Sequence, residues 1–239
     1  MVDRFFFCAQ QVDSYSKDSP SITLLSGPPS CGKTSLLFQF AYNCALNSAS
    51  SNRPVVFICN RRCLETKPPC LSQGIEPSSD VFRHIQMKYV DSGEGLKKYF
   101  AAFHLHDTLP AAVVIDDFGD LFDERSCQEK YANPRGRDLA MVRTLALCHN
   151  AVLHAKRSIE GNCEVLLADT HHGDSPRLLY VYKRWVTSIF TIKGDGHGSF
   201  LLRDCGRLGS ADSKKTAPAK YSTALQYLQL EGISIEFSD

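Results

Sequence analysis

The stretch ITLLSGPPSCGKTSLLFQFAYNCAL, residues 22–46, decides the fold of this chain. It opens on a β-branched, apolar run that predicts a buried strand, and the run ends at Gly27-Pro28-Pro29. Apolar residues then recur in adjacent pairs every four positions, which predicts one buried helical stripe. A strand, a glycine-rich turn and an amphipathic helix therefore follow one another at the start of the core.

The turn between this strand and this helix matches G-x-x-x-x-G-K-[ST], the Walker A phosphate loop, in full. Its two glycines let the backbone curl so that N–H groups point at phosphate oxygens, and the helix N-terminus adds a partial positive charge. Lys33 supplies a cation for the β- and γ-phosphates, and the Thr34 hydroxyl can ligate Mg²⁺. The alternative is a chance glycine-rich turn at a strand–helix junction. The predicted nucleotide-binding residues are Gly27, Pro28, Pro29, Ser30, Cys31, Gly32, Lys33, Thr34 and Ser35.

The composition limits the remaining possibilities. A length of 239 residues suits one substantial core and is short for two, so we predict a single domain. A formal net charge of +1 provides no global attraction to nucleic acid, so any DNA-binding surface must be local. The sequence contains no apolar run long enough for a bilayer, and we expect no signal peptide, so its ten cysteines are predicted to be reduced intracellular thiols.

Strands and helices alternate along the rest of the chain. Apolar strands are predicted at 54–59, 85–89, 111–117 and 165–168, helices at 95–106 and 137–156, and a hairpin at 186–192 and 199–203. This order predicts an α/β fold with a mainly parallel twisted sheet, helices on both faces and a C-terminal antiparallel hairpin. We divide the chain into a lead-in segment (1–20), the core (21–210), and a linker with a C-terminal segment (211–239).

Two acids end the apolar run Val113-Val114-Ile115. Asp116 is the natural Walker B acid, which orients Mg²⁺ or its waters. Asp117 has two interpretations: it polarises the attacking water as a general base, or it caps the following turn. Lys33, Asp116 and Asp117 are therefore the candidate catalytic residues, and Thr34 and Asp116 are the candidate Mg²⁺ ligands.

The phosphate loop, PVVFICNRRCL, FRHIQMKYV, AAVVIDDFGDLF and LLADTH follow one another in the order of a RecA/Rad51-type ATPase core. The chain resembles this family, and within it the small Rad51-paralogue-like ATPases that partner a SWIM-type zinc-finger protein in homologous recombination. The resemblance implies a RecA-like core, ATP and Mg²⁺ as ligands, a nuclear location and hetero-oligomers with a SWIM-domain protein and a Rad51-type recombinase. It also implies an accessory function on single-stranded DNA, with weak or partner-dependent ATP hydrolysis.

The chain departs from that family at the catalytic base. RecA-type ATPases carry a glutamate just after the second strand, where this sequence has Asn60-Arg61-Arg62. A guanidinium accepts no proton from water, and Glu65 is out of the expected register. The residue that senses the γ-phosphate at the end of LLADTH is best matched by Thr170. We therefore expect nucleotide binding to matter more than turnover.

DNA contacts follow from the resemblance by position. The loops that follow the Walker B strand and the next strand face DNA in RecA-like cores. Basic side chains there can track phosphates with little sequence preference, although the interspersed acids also fit an ordinary solvated loop. The candidate DNA-binding residues are Arg125, Lys130, Arg135, Arg137 and Arg177.

Other hypotheses remain open. Residues 6–9 match the F-x-x-A docking pattern of Rad51-type subunits. Residues 38–41 match it too, so the pattern arises easily by chance, and a plain apolar strand or an N-terminal core contact is the preferred explanation. A P-loop small-molecule kinase would use the same loop but should have a lid that carries arginines. An AAA+ ATPase would need a C-terminal helical lid. A nucleotide-gated interaction scaffold would bind partners without catalysis.

Overall fold

The computed structural model describes residues 2–6, 21–158, 163–173, 178–207, 217–224 and 226–233. The strands in this part of the chain form one mixed sheet, in the order β3-β10-β9-β8-β7-β1-β6-β5-β2-β4. Their bounds are β1 Ser21–Gly27, β2 Val55–Cys59, β3 Leu71–Ser72, β4 Ile85–Tyr89, β5 Ala112–Ile115, β6 Glu164–Thr170, β7 Ser188–Gly194, β8 Ser199–Arg207, β9 Ala219–Ala224 and β10 Tyr227–Ile233.

Six of the ten described strands form a parallel core. The strands β4, β2, β5, β6, β1 and β7 pair in parallel, so their carboxyl ends meet at one edge. The register aligns Gly27 at the end of β1 with Thr170 at the end of β6. From β7 to β10 the pairing is antiparallel. The edge where the parallel strands end is the usual place for a ligand in an open α/β sheet.

Helices cover both faces of the sheet. Alternate residues of β1 face opposite layers: Leu24 packs among the side chains beneath α3 and α5, and Leu25 among those beneath α1. The predicted α/β class, with a mostly parallel sheet and packed helices, is thereby confirmed. The helices are α1 Lys33–Ser48, α2 Arg61–Thr66, α3 Gly93–Ala101, α4 Glu124–Tyr131, α5 Gly136–Ser158 and α6 Leu179–Tyr182.

Several predicted bounds shift for local reasons. The strand predicted at 111–117 ends at Ile115, because Asp117 adopts a left-handed backbone with φ 47° and ψ 51°. The helix predicted at 95–106 ends at Ala101 and is followed by a 3-10 turn, Phe103–Leu105. The long helix predicted at 137–156 spans Gly136–Ser158.

The C-terminal part of the chain contributes more than the sequence predicts. Strands β9 and β10 extend the same sheet that contains β1, and Tyr221 of β9 is fully buried. The short strand β3, which follows α2, pairs with β10. Strands β9 and β10 therefore belong to the same sheet as the parallel core. Among the described helices, none has the length and apolar character needed to cross a membrane.

Candidate nucleotide-binding site

The phosphate loop lies between β1 and α1, at the carboxyl edge of the parallel strands. Gly32 has φ 80° and ψ 18°, and a Cβ atom at this position would lie 2.8 Å from Cγ2 of Thr223, so both conformation and space require glycine. Ser30 also has a left-handed backbone, with φ 58°. No side chain caps the N-terminus of α1. Its first N–H groups are therefore available to an anion.

Lys33 holds the loop together from within. Its Nζ donates hydrogen bonds to the carbonyl of Pro28 at 2.9 Å and to that of Gly27 at 3.4 Å, and the side chain is 6% exposed. An ammonium group has three donors, so one remains for a phosphate oxygen. The loop thus carries a buried cation beside an uncapped helix N-terminus, which is the electrostatic character of a phosphate site.

Two of the predicted magnesium ligands are in contact. The hydroxyl of Thr34 donates a 2.8 Å hydrogen bond to Oδ2 of Asp116, which directly follows β5. In the sheet, β6 lies between β1 and β5. The structure therefore brings Lys33, Thr34 and Asp116 together at the edge where the parallel strands end.

The second carboxylate oxygen of Asp116 is the best indication of a cation. Oδ1 is buried and has no hydrogen-bond partner among the described residues. Burial and the neighbouring charge of Asp117 raise the pKa of Asp116 to about 7, although Thr34 and Lys33 act in the opposite direction. Such an oxygen is costly unless a cation neutralises it.

Magnesium fits this donor set, because it prefers oxygen ligands such as the Asp116 carboxylate and the Thr34 hydroxyl. The described residues contain no group of three or more His, Cys, Asp or Glu side chains that would hold a metal alone. The other ligands of Mg²⁺ at this site would therefore be water and phosphate oxygens, as is usual for Mg²⁺ bound with a nucleotide.

Asp117 faces the same cleft and does not cap a helix with its side chain. The short 3-10 helix Phe118–Leu121 begins after it without a capping hydrogen bond from Asp117. Instead, Oδ1 of Asp117 accepts a 3.2 Å hydrogen bond from the hydroxyl of Thr170. Burial raises the pKa of Asp117, and the Lys33 charge lowers it. A carboxylate with a raised pKa beside a phosphate site is suited to accept a proton from water.

The cleft over the phosphate loop has a volume of about 570 Å³, within the range of small-molecule sites. Its lining includes Asp117, Asp120 and Thr170, and also the segment Lys67–Cys70. The backbone N–H of Cys70 donates a 2.9 Å hydrogen bond to the Ser35 hydroxyl, which fastens this segment to α1. The cleft is thus lined partly by a segment that lies between the strands predicted at 54–59 and 85–89.

Residues 60–62, where RecA-type ATPases would carry the catalytic glutamate, form the start of helix α2. The side chain of Asn60 caps that helix by accepting hydrogen bonds from the N–H groups of Arg62 and Cys63, at 2.9 and 3.4 Å. Arg61 pairs with Glu65 at 2.8 Å. Glu65 does not line the cleft, so it is not placed to activate water there.

Two residues of strand β9 contact the phosphate loop or line the cleft, and the sequence predicted neither of them. The hydroxyl of Tyr221 donates a 2.6 Å hydrogen bond to the carbonyl of Cys31 in the phosphate loop, and Thr223 lines the cleft. The segment 219–224, AKYSTA, carries no motif that could have linked it to a loop 190 residues earlier.

Two of the predicted DNA-binding residues lie on α4 and are paired with acids. Arg125 forms a 3.2 Å ion pair with Glu129, and both side chains are largely exposed. Lys130 contacts Glu94 at 2.5 Å. Both cations remain at the surface, but part of their charge is neutralised within the chain.

The other predicted DNA-binding residues are Arg135, Arg137 and Arg177, and the two that are described differ in how exposed they are. Arg137 is half-buried, and its Nη2 donates a 2.7 Å hydrogen bond to the carbonyl of Gly119, so its guanidinium supports the turn after β5. Arg135 is exposed. Arg177 lies outside the described residues.

The F-x-x-A match at the N-terminus is only partly described. Phe6 is 2% exposed and packs against the Tyr221 ring with centroids 5.8 Å apart, which makes it a core contact. Residues 7–9 lie outside the described part of the chain. The second match, residues 38–41, lies in α1, where Phe40 and Ala41 are buried.

No model of a known protein family matches this chain, and neither does any curated protein that was compared with it.

Proposed function

We propose that this chain is an ATP-binding accessory factor of homologous recombination, which binds Mg²⁺ and ATP on a RecA-like core and hydrolyses ATP slowly or only with a partner. The observation that carries the nucleotide part is the 2.8 Å hydrogen bond from Thr34 to Asp116 beside an uncapped helix N-terminus. A phosphate loop, a buried lysine and a carboxylate with a free buried oxygen occupy one edge of the sheet.

The strand order supports a RecA-like core over the alternatives. A single strand, β6, separates the phosphate-loop strand β1 from β5, which is in keeping with RecA-type ATPases. The regular elements among the described residues from 188 onward are all strands, whereas an AAA+ protein would have a helical lid there. The segment Lys67–Cys70 at the cleft contains no arginine, in contrast to the lid expected of a small-molecule kinase.

Each residue of the site has a distinct part in this proposal. Lys33 and the N–H groups of the loop bind the phosphate chain, and Thr34 and Asp116 hold Mg²⁺, which neutralises phosphate charge when bound. Asp117, held by Thr170, orients and deprotonates the water. Because the usual glutamate is absent, we expect slow turnover by the chain alone, and a residue supplied by a partner would accelerate it.

The recombination part rests on the resemblance of the sequence to Rad51-paralogue-like ATPases. A nucleotide that favours an assembled state shifts assembly by mass action and requires no turnover. We propose that nucleotide binding favours a nuclear hetero-oligomer with a SWIM-type zinc-finger protein, which supports a Rad51-type recombinase on single-stranded DNA. Arg125 and Arg135, which are exposed, are the best placed of the described candidates for phosphate contacts.

The nucleotide part is tested by ATP binding and turnover of the purified chain, with and without single-stranded DNA. We expect Lys33→Ala to weaken ATP binding about 10- to 100-fold, the effect of losing a charge-assisted hydrogen bond. Lys97→Ala, which removes a surface cation paired with Glu94, is the control and should bind ATP normally. Equal binding by wild type and Lys33→Ala, or none by either, would refute the proposal.

The recombination part needs a separate experiment. The purified chain would be mixed with the SWIM-type protein, and the complex measured with and without Mg²⁺ and ATP. We expect ATP to strengthen the complex and Lys33→Ala to abolish that effect. A complex that forms equally well with Lys33→Ala would favour the scaffold hypothesis, and the absence of any complex would contradict the partner assignment.

A further inference from the structure

We infer that Tyr221 is a positioning residue for phosphate binding, which fixes the peptide between Cys31 and Gly32 in the orientation that a bound phosphate needs. The inference rests on the proposed nucleotide function and adds to it a determinant from the far end of the chain. Tyr221 belongs to β9, 190 residues after the phosphate loop.

The contact is short and shielded from water. The Tyr221 hydroxyl donates to the Cys31 carbonyl at 2.6 Å, and both residues are 0% exposed. Water therefore has little access to replace this hydrogen bond, and a buried carbonyl without a donor is unfavourable. In a planar trans peptide the C=O and N–H groups point in opposite directions. Holding the Cys31 carbonyl toward β9 thus turns the Gly32 N–H away from it, into the phosphate loop.

The tyrosine itself has little freedom to move. Its ring packs between Phe6 and Phe200, with centroid distances of 5.8 and 5.6 Å. Strand β9 is paired on both sides, with β8 and with β10. The methyl group of Thr223, two residues along the same strand, lies close to Gly32. Strand β9 therefore contacts the loop at two adjacent points, one polar and one apolar.

Gly32 explains why such a restraint is needed. A glycine samples left-handed and right-handed backbone conformations at similar cost, so this peptide has no strong preference of its own. If the peptide between Cys31 and Gly32 were flipped, its carbonyl oxygen would point at the phosphate in place of its N–H group. The Tyr221 hydrogen bond selects the competent orientation before the ligand arrives, which lowers the conformational cost of binding.

The test is Tyr221→Phe, which keeps the ring and removes the hydroxyl. The dissociation constants of ATP and of inorganic tripolyphosphate are measured for the full chain, together with the melting temperature. We expect both ligands to bind about five- to tenfold more weakly, the effect of one lost hydrogen bond. The equal loss for tripolyphosphate identifies the phosphate loop as the affected part of the site.

Tyr182→Phe is the matched control. It also removes a buried tyrosine hydroxyl with a 2.6 Å hydrogen bond, to Oδ2 of Asp169, but neither residue lines the cleft. We expect a similar drop in melting temperature and unchanged affinities. If Tyr182→Phe weakens binding as much as Tyr221→Phe, the effect is general destabilisation and the inference is wrong.

The remaining outcomes are also decisive. Unchanged affinities in a folded Tyr221→Phe protein would overturn the inference while leaving the proposed function intact. Wild-type protein that binds neither ligand would overturn the proposed function itself. If Tyr221→Phe does not fold, Phe200→Leu replaces it, because Phe200 packs against the Tyr221 ring with centroids 5.6 Å apart and does not line the cleft. We then expect both ligands to bind about twofold more weakly, since a looser ring holds the Cys31 carbonyl less firmly, and unchanged affinities would overturn the inference.

Discussion

Thr34 and Asp116 are joined by a 2.8 Å hydrogen bond although 82 residues separate them in sequence. The bond connects the first turn of α1 to the residue that directly follows β5. It uses one oxygen of Asp116 and leaves the other, Oδ1, buried and unpaired in the described structure. The two residues are thus already in place for a cation that would satisfy the second oxygen.

We predict that Thr34→Val removes the magnesium dependence of ATP binding. The substitution deletes the hydroxyl that contacts Asp116 while keeping a β-branched side chain. In the wild type, ATP should bind at least about tenfold more tightly with Mg²⁺ than with EDTA, which corresponds to about 1.4 kcal/mol. Thr34→Val should bind equally in both conditions, and Thr34→Ser, which keeps the hydroxyl, should behave like wild type. A magnesium effect that survives in Thr34→Val would show that Thr34 is not a ligand.

Asp116 gives a prediction about pH. Its pKa is about 7 in the folded chain, because of burial and the Asp117 charge, against about 3.9 in an unfolded chain. Between these values the folded state binds more protons, so the stability of the metal-free protein falls as the pH rises from about 4 to about 7 and levels off above. Asn does not ionise, so Asp116→Asn should abolish this pH-dependent loss of stability.

We therefore expect Asp116→Asn to raise the free energy of unfolding in EDTA at pH 8 by on the order of 2 kcal/mol, with a smaller gain at pH 5. The same variant should lose magnesium-dependent ATP binding. Thermal unfolding at the two pH values measures the first effect. A variant that is less stable than wild type at pH 8 would mean that the carboxylate stabilises the fold, contrary to this assignment.

The centre of the site could be predicted from the sequence because its signals are local. The phosphate loop occupies eight consecutive residues between a clear strand and a clear helix. Asp116 follows an apolar run, and the carboxyl ends of parallel strands lie at one edge of the sheet. The contact between Asp116 and Thr34 therefore follows from the α/β class of the fold. The α/β class followed in the same way from alternating strands and helices.

The surroundings of the site could not be predicted, because they depend on distant pairings. The contact between Tyr221 and Cys31 joins two segments 190 residues apart, and nothing local marks Tyr221 as a partner of the loop. The segment Lys67–Cys70 reaches the cleft because β3 pairs with β10, a pairing of only two residues in each strand. The left-handed turn at Asp117 also leaves Asp116 and Asp117 outside β5, although the predicted strand included both acids.

We predict that Asp117→Asn lowers ATP turnover about 100-fold and changes the dissociation constant of ATP less than twofold. The carboxylate is held by Thr170 at 3.2 Å and is the described acid best placed to accept a proton from water in the cleft. Thr170→Val should lower turnover less, because the carboxylate remains but loses its orienting partner. Glu65→Gln is the control, since Glu65 pairs with Arg61 outside the cleft. A loss of turnover in Glu65→Gln equal to that in Asp117→Asn would identify Glu65 as the base.

We predict that Arg135→Ala affects binding to single-stranded DNA, whereas Arg137→Ala affects the stability of the fold. Arg135 is exposed, so Arg135→Ala should weaken binding to single-stranded DNA and reduce the salt dependence of log Kd by about 0.7, the value for one phosphate contact. Arg137 donates to the Gly119 carbonyl, so Arg137→Ala should lower the free energy of unfolding by about 1–3 kcal/mol. Fluorescence anisotropy at several salt concentrations and thermal unfolding measure the two effects.

Arg157→Ala provides the control for both, because this exposed arginine lies in the last turn of α5, at the opposite edge of the sheet from the cleft. Its removal should change neither stability nor the salt dependence. If Arg135→Ala and Arg157→Ala weaken DNA binding equally, the attraction comes from the overall charge of the chain, and the loop after β5 is not a DNA-binding surface. A normal melting temperature in Arg137→Ala would instead return Arg137 to the set of possible phosphate contacts.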